Sequence, residues 1–140
     1  MQAHGIANVL RPGLQALGAN SNRVVIAAPN TALWSVDLDG ALRIRYPNDP
    51  RWDYGVEWRR GQAQGIAWVE VHPATSSEVT TVLNKLKWLK ARLNDHAVAC
   101  SGLPATYHWV ATDEGVHIDT ARRRRLNAAG LRMPRSRLRI

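Results

Sequence analysis

The chain has 140 residues, the size of one domain able to bury a substantial core, and its single cysteine, Cys100, excludes an intrachain disulfide and suits a reducing, cytoplasmic setting. It contains six Trp and three Tyr but no Phe, so the aromatic part of any core must come from rings with polar tips. The formal charge of +8 is concentrated at one end, which points to a polyanion partner, with nucleic acid the commonest, while no stretch approaches the roughly 20 apolar residues of a membrane span.

Residues 1 to 22 are rich in Gly, Ala and Asn around Pro12, which predicts at best a short, interrupted helix and lacks the pattern of a signal peptide. The β-branched run from Arg23 to Ala28 predicts a strand ending at Pro29-Asn30, and Thr31 to Leu38 a second. Asp37 or Asp39 is placed to cap a helix through Ala41-Leu42, although Leu42, Ile44 and Tyr46 also alternate as in a strand. Trp52 to Arg59 and Ile66 to Pro73 predict a hairpin around a polar turn with two glycines. Thr75 and Glu78 form a capping-box pattern before a helix whose Val79, Val82, Leu83, Leu86, Leu89 and Leu93 recur at helical spacing. Thr106 to Thr112 predicts a strand, Asp119 or Thr120 caps a further helix through Ala129, and Gly130 is placed to stop it. The last six residues alternate, which sets Arg135, Arg137 and Arg139 on one side of an extended chain.

The hairpin carries acids where a plain sheet would not need them. With its turn centred between Gln62 and Ala63, Asp53 faces His72 and Gly55 faces Glu70, all on one face with Glu57 and Trp68. Asp53 and Glu70 are then diagonal neighbours, roughly 7–8 Å apart, beside the gap left by Gly55. Two carboxylates converging on a gap repel unless a proton or cation lies between them. Mg²⁺ or Mn²⁺, which takes one or two carboxylates and fills its other positions with water and phosphate, is the natural occupant.

Asp53, followed by Glu70-Val71-His72, a helix and then "TYHWVAT", resembles the PD-(D/E)xK nuclease superfamily over residues 37 to 112. The resemblance implies an α/β fold with a restriction-endonuclease-like mixed β-sheet flanked by helices, and metal-dependent cleavage of nucleic-acid phosphodiesters. It implies Asp53 and Glu70 as metal ligands. Trp52 stands where the motif has Pro, and His72 where it has Lys; His72 would orient or deprotonate water. Members of the superfamily sometimes supply the Lys from the following helix, which here offers Lys85, Lys87 and Lys90, with Lys85 nearest the Glu78 turn. The alternative is a nuclease-fold protein that has lost catalysis and binds nucleic acid or a protein partner. A homodimer would suit an enzyme cutting two strands.

The whole chain, 1 to 140, reads as a single domain whose Arg-rich part is residues 119 to 140. That part has eight arginines, Arg122 to Arg125, Arg132, Arg135, Arg137 and Arg139, against the single acid Asp119. It either binds polyanion or merely solubilises the chain. The four-arginine run covers about 300° of a helix and cannot form one stripe, so Arg135, Arg137 and Arg139 are the better phosphate contacts. More ordinary roles compete for the other residues. Asp53 and Glu70 could each pair with Arg51, Arg59 or Arg60, Glu57 could be a third ligand, and the Trp residues are expected in the core rather than stacked on bases. Cys100 is expected to be an inert buried thiol. His4, His96, His108 and His117 show no metal-ligand spacing, and His108 is expected to be structural.

Overall fold

Six consecutive residues, Gly65 to Glu70, are buried in a computed structural model of the chain, which describes residues 7–94 and 103–140. Such a run requires a strand covered on both faces, and the architecture supplies that cover. The strands are β1 (Arg11–Pro12), β2 (Val24–Val25), β3 (Thr31–Asp37), β4 (Tyr54–Arg60), β5 (Ala63–Thr75), β6 (Ala105–His117), β7 (Leu131–Arg135) and β8 (Leu138–Arg139). The α-helices are α1 (Leu38–Leu42), α2 (Val79–Asn94) and α3 (Thr120–Ala128). The fold is mixed α/β: a six-stranded sheet in the order β1-β3-β4-β5-β6-β7, flanked by helices, with β2 and β8 forming a separate parallel pair.

Within the six-stranded sheet β1, β3, β4 and β5 pair antiparallel, whereas β5, β6 and β7 run parallel. Each parallel step uses a helix as its crossover, α2 between β5 and β6 and α3 between β6 and β7. Both edge strands carry a proline, Pro12 and Pro134, which blunts an otherwise open ladder.

Side-chain alternation sends the two faces of β5 to two cores. Ile66 and Trp68 join Trp52, Trp109 and the apolar stripe of α2, namely Val79, Val82, Leu86 and Leu89. Ala67 and Val69 meet Val56, Val110, Leu17, Val24 and Leu138, so the N-terminal 3-10 segment and the β2–β8 pair cover the second face. Trp52, Trp68, Trp88 and Trp109 are all buried, as expected of a chain without Phe. Two of their polar tips are satisfied: Trp109 Nε1 donates to the His72 carbonyl at 2.9 Å and Trp88 Nε1 to Asp49 Oδ2 at 2.8 Å.

Several expectations hold, with trimmed ends. Asp37 caps α1 by accepting from the Gly40 amide at 2.9 Å, so the helix prevails over the alternating strand. Asp119 caps α3 by accepting from the Arg122 amide at 2.9 Å, and Gly130, at φ 79°, follows its C-terminal cap. The N-terminal helix is a 3-10 segment, Gln15–Arg23, kinked at Gly18. The strand expected over residues 23 to 28 is reduced to two residues, Val24 and Val25, which pair with the equally short β8. Cys100, His4 and His96 lie outside the described residues.

Three expectations are corrected. The hairpin turn is Gly61-Gln62, so Arg60 pairs with Ala63 and Gly55 with Trp68, two residues away from the expected partner. A shift of two keeps every side chain on its expected face but moves Glu70 opposite Asp53. The Gly55 gap is filled: a Cβ there would stand 2.6 Å from the Trp68 ring. The capping box does not form, since Thr75 makes no side-chain cap and Glu78 bonds to His72 instead. The C-terminal residues are not one extended chain, because the backbone bends at Ser136-Arg137 between β7 and β8.

Candidate functional site

Asp53 sits at the entrance to β4 and is held from both sides. Its carbonyl accepts the first amides of α1, from Leu38 at 2.8 Å and Asp39 at 3.3 Å. The buried Trp52 anchors the preceding residue in the core. Its side chain then meets Glu70 by a reciprocal exchange: the Asp53 amide donates to Glu70 Oε1 at 3.2 Å, and the Val71 amide donates to Asp53 Oδ2 at 2.9 Å. Each carboxylate therefore has one oxygen fixed by backbone.

The remaining oxygens face one cation. Lys85, on the second turn of α2, places Nζ in direct contact with Glu70 Oε2 and 3.7 Å from Asp53 Oδ1. Glu70 is fully buried and Asp53 is 21% exposed, so the site is closed on the Glu70 side and open beside Asp53. One ammonium does not offset the pair. Burial, and then the charge of Glu70, push the Asp53 carboxyl up from 3.8 to about 7, against the pull of Lys85 and the Val71 amide. Glu70 Oε2 is already engaged by Lys85, so a hard divalent cation held by Asp53 and Glu70 would share these oxygens with the ammonium or displace it.

His72 stands two residues beyond Glu70 on the same face. Its Nδ1 lies 3.5 Å from Glu70 Oε2, and its Nε2 is 2.8 Å from Glu78 Oε2. The carboxylates of Glu70 and Glu78 raise its pKa, while burial works against them. Both ring nitrogens thus face acceptors and the imidazolium is favoured. The Trp109 indole bonded to its carbonyl fixes the backbone beneath it.

Asp53, Glu70, His72 and Lys85 are therefore brought together, with Lys85 as the lysine from the following helix. Lys90 instead donates to the Ala129 carbonyl at 3.1 Å and lies over the Tyr107 ring, and Lys87 lies beside Trp88 on another surface. Glu57 is buried opposite Ile66, separated from Asp53 by the Gly55–Trp68 contact, and does not join as a third ligand. Among the described residues no three His, Cys, Asp or Glu side chains form a metal-holding cluster. Arg51 pairs with Asp39 at 2.9 Å rather than with either site acid. The sequence reading missed Glu78 as a partner of His72; its spacing from Thr75 gave it a capping role that the fold overrides.

The C-terminal arginines are not brought to this site, and they do not all gather in one place. Arg132 pairs with His108 and Arg135 with Val110, which puts both on the sheet face of Val69 and Val110, away from α2 and Lys85. Arg135 and Arg139 share a small cavity, while Arg137 lies beside Arg23 and Asp113 at another. In the four-arginine run, Arg122 pairs with Asp119 and Arg123 donates to the Ile118 carbonyl at 2.8 Å. His108 is structural in part, its Nε2 lying 2.7 Å from Thr106 Oγ1. Among the described residues no helix is long and apolar enough to cross a membrane.

Comparison with protein-family models, curated proteins and solved structures finds no match for this chain.

Proposed function

We propose that the chain is a metal-dependent nuclease of the PD-(D/E)xK, restriction-endonuclease-like kind, hydrolysing nucleic-acid phosphodiesters. The observation that carries this reading is the convergence of Asp53 Oδ1 and Glu70 Oε2 on a single cation, the Lys85 ammonium. The order of antiparallel hairpin, helix and parallel strand accords with it. Asp53 and Glu70 would hold Mg²⁺ or Mn²⁺. When bound, such an ion supplies Lewis-acid polarisation of a phosphoryl oxygen and lowers the pKa of bound water. Lys85 would add positive charge where the phosphorane gathers negative charge, and His72, beside Glu70, would orient the attacking water. Asp53, with its pKa about 7, exchanges its proton for a cation near neutrality. Arg135, Arg137 and Arg139, lying off the site, would contact backbone away from the scissile phosphate.

A second reading draws on the same lysine. Because Lys85 already meets Glu70, the cluster can stand as an internal ion pair in a catalytically inactive nuclease-fold protein that binds nucleic acid or a protein. Calorimetric titration with Mn²⁺ of the wild type, Asp53→Asn and Glu70→Gln, each checked for folding by circular dichroism, separates the two. Binding by the wild type alone, with divalent-dependent cleavage of plasmid DNA or single-stranded RNA lost in both variants, is the expected result. A folded wild type that binds no Mn²⁺ at millimolar concentration would sink the hydrolytic reading and favour the second.

A further inference from the structure

On the sheet face opposite the carboxylates, a cavity of about 150 Å³ opens between β6, β7 and β8. Its walls carry Arg132, Arg135 and Arg139 beside His108, with Met133 and Leu138 as apolar lining, and no carboxylate lines it. Among the described residues none of these three arginines has a carboxylate partner, unlike Arg23, Arg43, Arg51 and Arg122.

The arrangement depends on a local irregularity. Arg132 and Arg135 are three residues apart, and in a regular strand they would point to opposite faces. Three steps along β7 are matched by two along β6, from the pair His108–Arg132 to the pair Val110–Arg135, so both arginines return to one face. The bend at Ser136-Arg137 then brings Arg139 back to the rim, while Leu138 anchors the turn in the second core. Three guanidinium groups are thus gathered around a polar cavity without internal neutralisation. Their combined field is felt by His108, which burial, then Arg132 and Arg135, push down to about 4. At neutral pH His108 is an uncharged imidazole, available for hydrogen bonding, and the cavity's charge is that of the arginines.

We infer that this cavity binds a phosphate monoester, the terminal phosphate of a nucleic-acid strand. Guanidinium forks match phosphate oxygens in geometry, and three of them favour a dianion over the single charge of a diester. The cavity is well below the roughly 300 Å³ at which pockets begin to hold whole small molecules, so it takes one such group and leaves the attached polymer outside. The inference shares the nucleic-acid ligand of the proposed function but does not rest on hydrolysis, because the sheet separates the cavity from Asp53 and Glu70.

The test follows the His108 ring signals by NMR in metal-free buffer at constant ionic strength. The probes are inorganic phosphate, a 5′-phosphorylated dinucleotide and the same dinucleotide with a 5′-hydroxyl. Saturable shifts are expected with the first two, with the phosphorylated dinucleotide binding at least about tenfold more tightly than the hydroxyl form. Arg135→Gln and Arg132→Gln, both exposed positions, should each weaken phosphate binding severalfold while leaving the rest of the spectrum folded. Absence of a saturable His108 shift, equal affinity for the two dinucleotides, or undiminished binding in both variants would overturn the inference. None of those outcomes changes what Mn²⁺ does at Asp53 and Glu70, so the two proposals fail separately.

Discussion

Replacing Asp53 by Asn should stabilise the protein at alkaline pH, the opposite of what loss of an ion-pair partner would do. The Asp53 carboxyl is raised from 3.8 to about 7, mainly by burial and then by Glu70. A carboxyl whose folded pKa is raised lends stability in its protonated form; that contribution is complete below pH 3.8 and is lost as pH rises through 7. Three pH units at about 1.4 kcal/mol each make the full loss about 4 kcal/mol by pH 8. Partial exposure of the side chain lets solvent relax around the charge, which reduces this to about 2–4 kcal/mol. Asn keeps an acceptor for the Val71 amide and removes the ionisation, so its stability relative to wild type should grow by that amount between pH 4 and pH 8. For a chain of this size the gain corresponds to a rise in Tm of roughly 10 °C at pH 8. Urea unfolding or calorimetry in the presence of a chelator measures it. An advantage for Asn that is flat with pH, or a variant that loses ground as pH rises, would mean that Asp53 is a stabilising partner of Lys85, and the argument for a charge-deficient site would fall.

The same titration governs metal binding: with a ligand pKa about 7, Mn²⁺ affinity should rise about tenfold from pH 6 to pH 8 with release of up to one proton, which calorimetry in buffers of different ionisation enthalpy will show. Lys85→Met leaves the fully buried Glu70 without its nearest cation and should cost about 3 kcal/mol in urea unfolding, part of which millimolar Mn²⁺ should restore; full stability without metal would contradict the ion pair. Gly55→Ala drives a methyl group into the Trp68 ring and should cost about 1–3 kcal/mol, whereas the alternative register would accept it. His72→Gln should destabilise the protein more at pH 5.5 than at pH 8, because the raised imidazole pKa lends stability below 6.5 that is lost as pH rises through the folded value.

Much of the local structure follows from the sequence alone. The apolar stripe of α2, the caps at Asp37 and Asp119 and the stop at Gly130 are written in residues a few positions apart, where propensity and hydrogen-bonding geometry act without help from the rest of the chain. The strand period of two also put Asp53, Glu70 and His72 on one face, and it survived a turn placed one residue too late because the resulting register error was even.

What those periods leave open is which groups meet across elements. Lys85, Lys87 and Lys90 are equivalent as helix residues, and only the docking of α2 on β5 sends Lys85 to the carboxylates, Lys90 to Ala129 and Lys87 elsewhere. Glu78 has the spacing of a capping residue, yet a nearby imidazole is the stronger partner. The C-terminal arginines alternate like a strand, but the β6–β7 irregularity and the bend before β8 decide which of them share a cavity. Sequence therefore determined the elements and their faces, through interactions spanning a few residues. Tertiary structure decided partners and charge balance, because burial and long-range contact set the cost of every buried carboxylate and guanidinium.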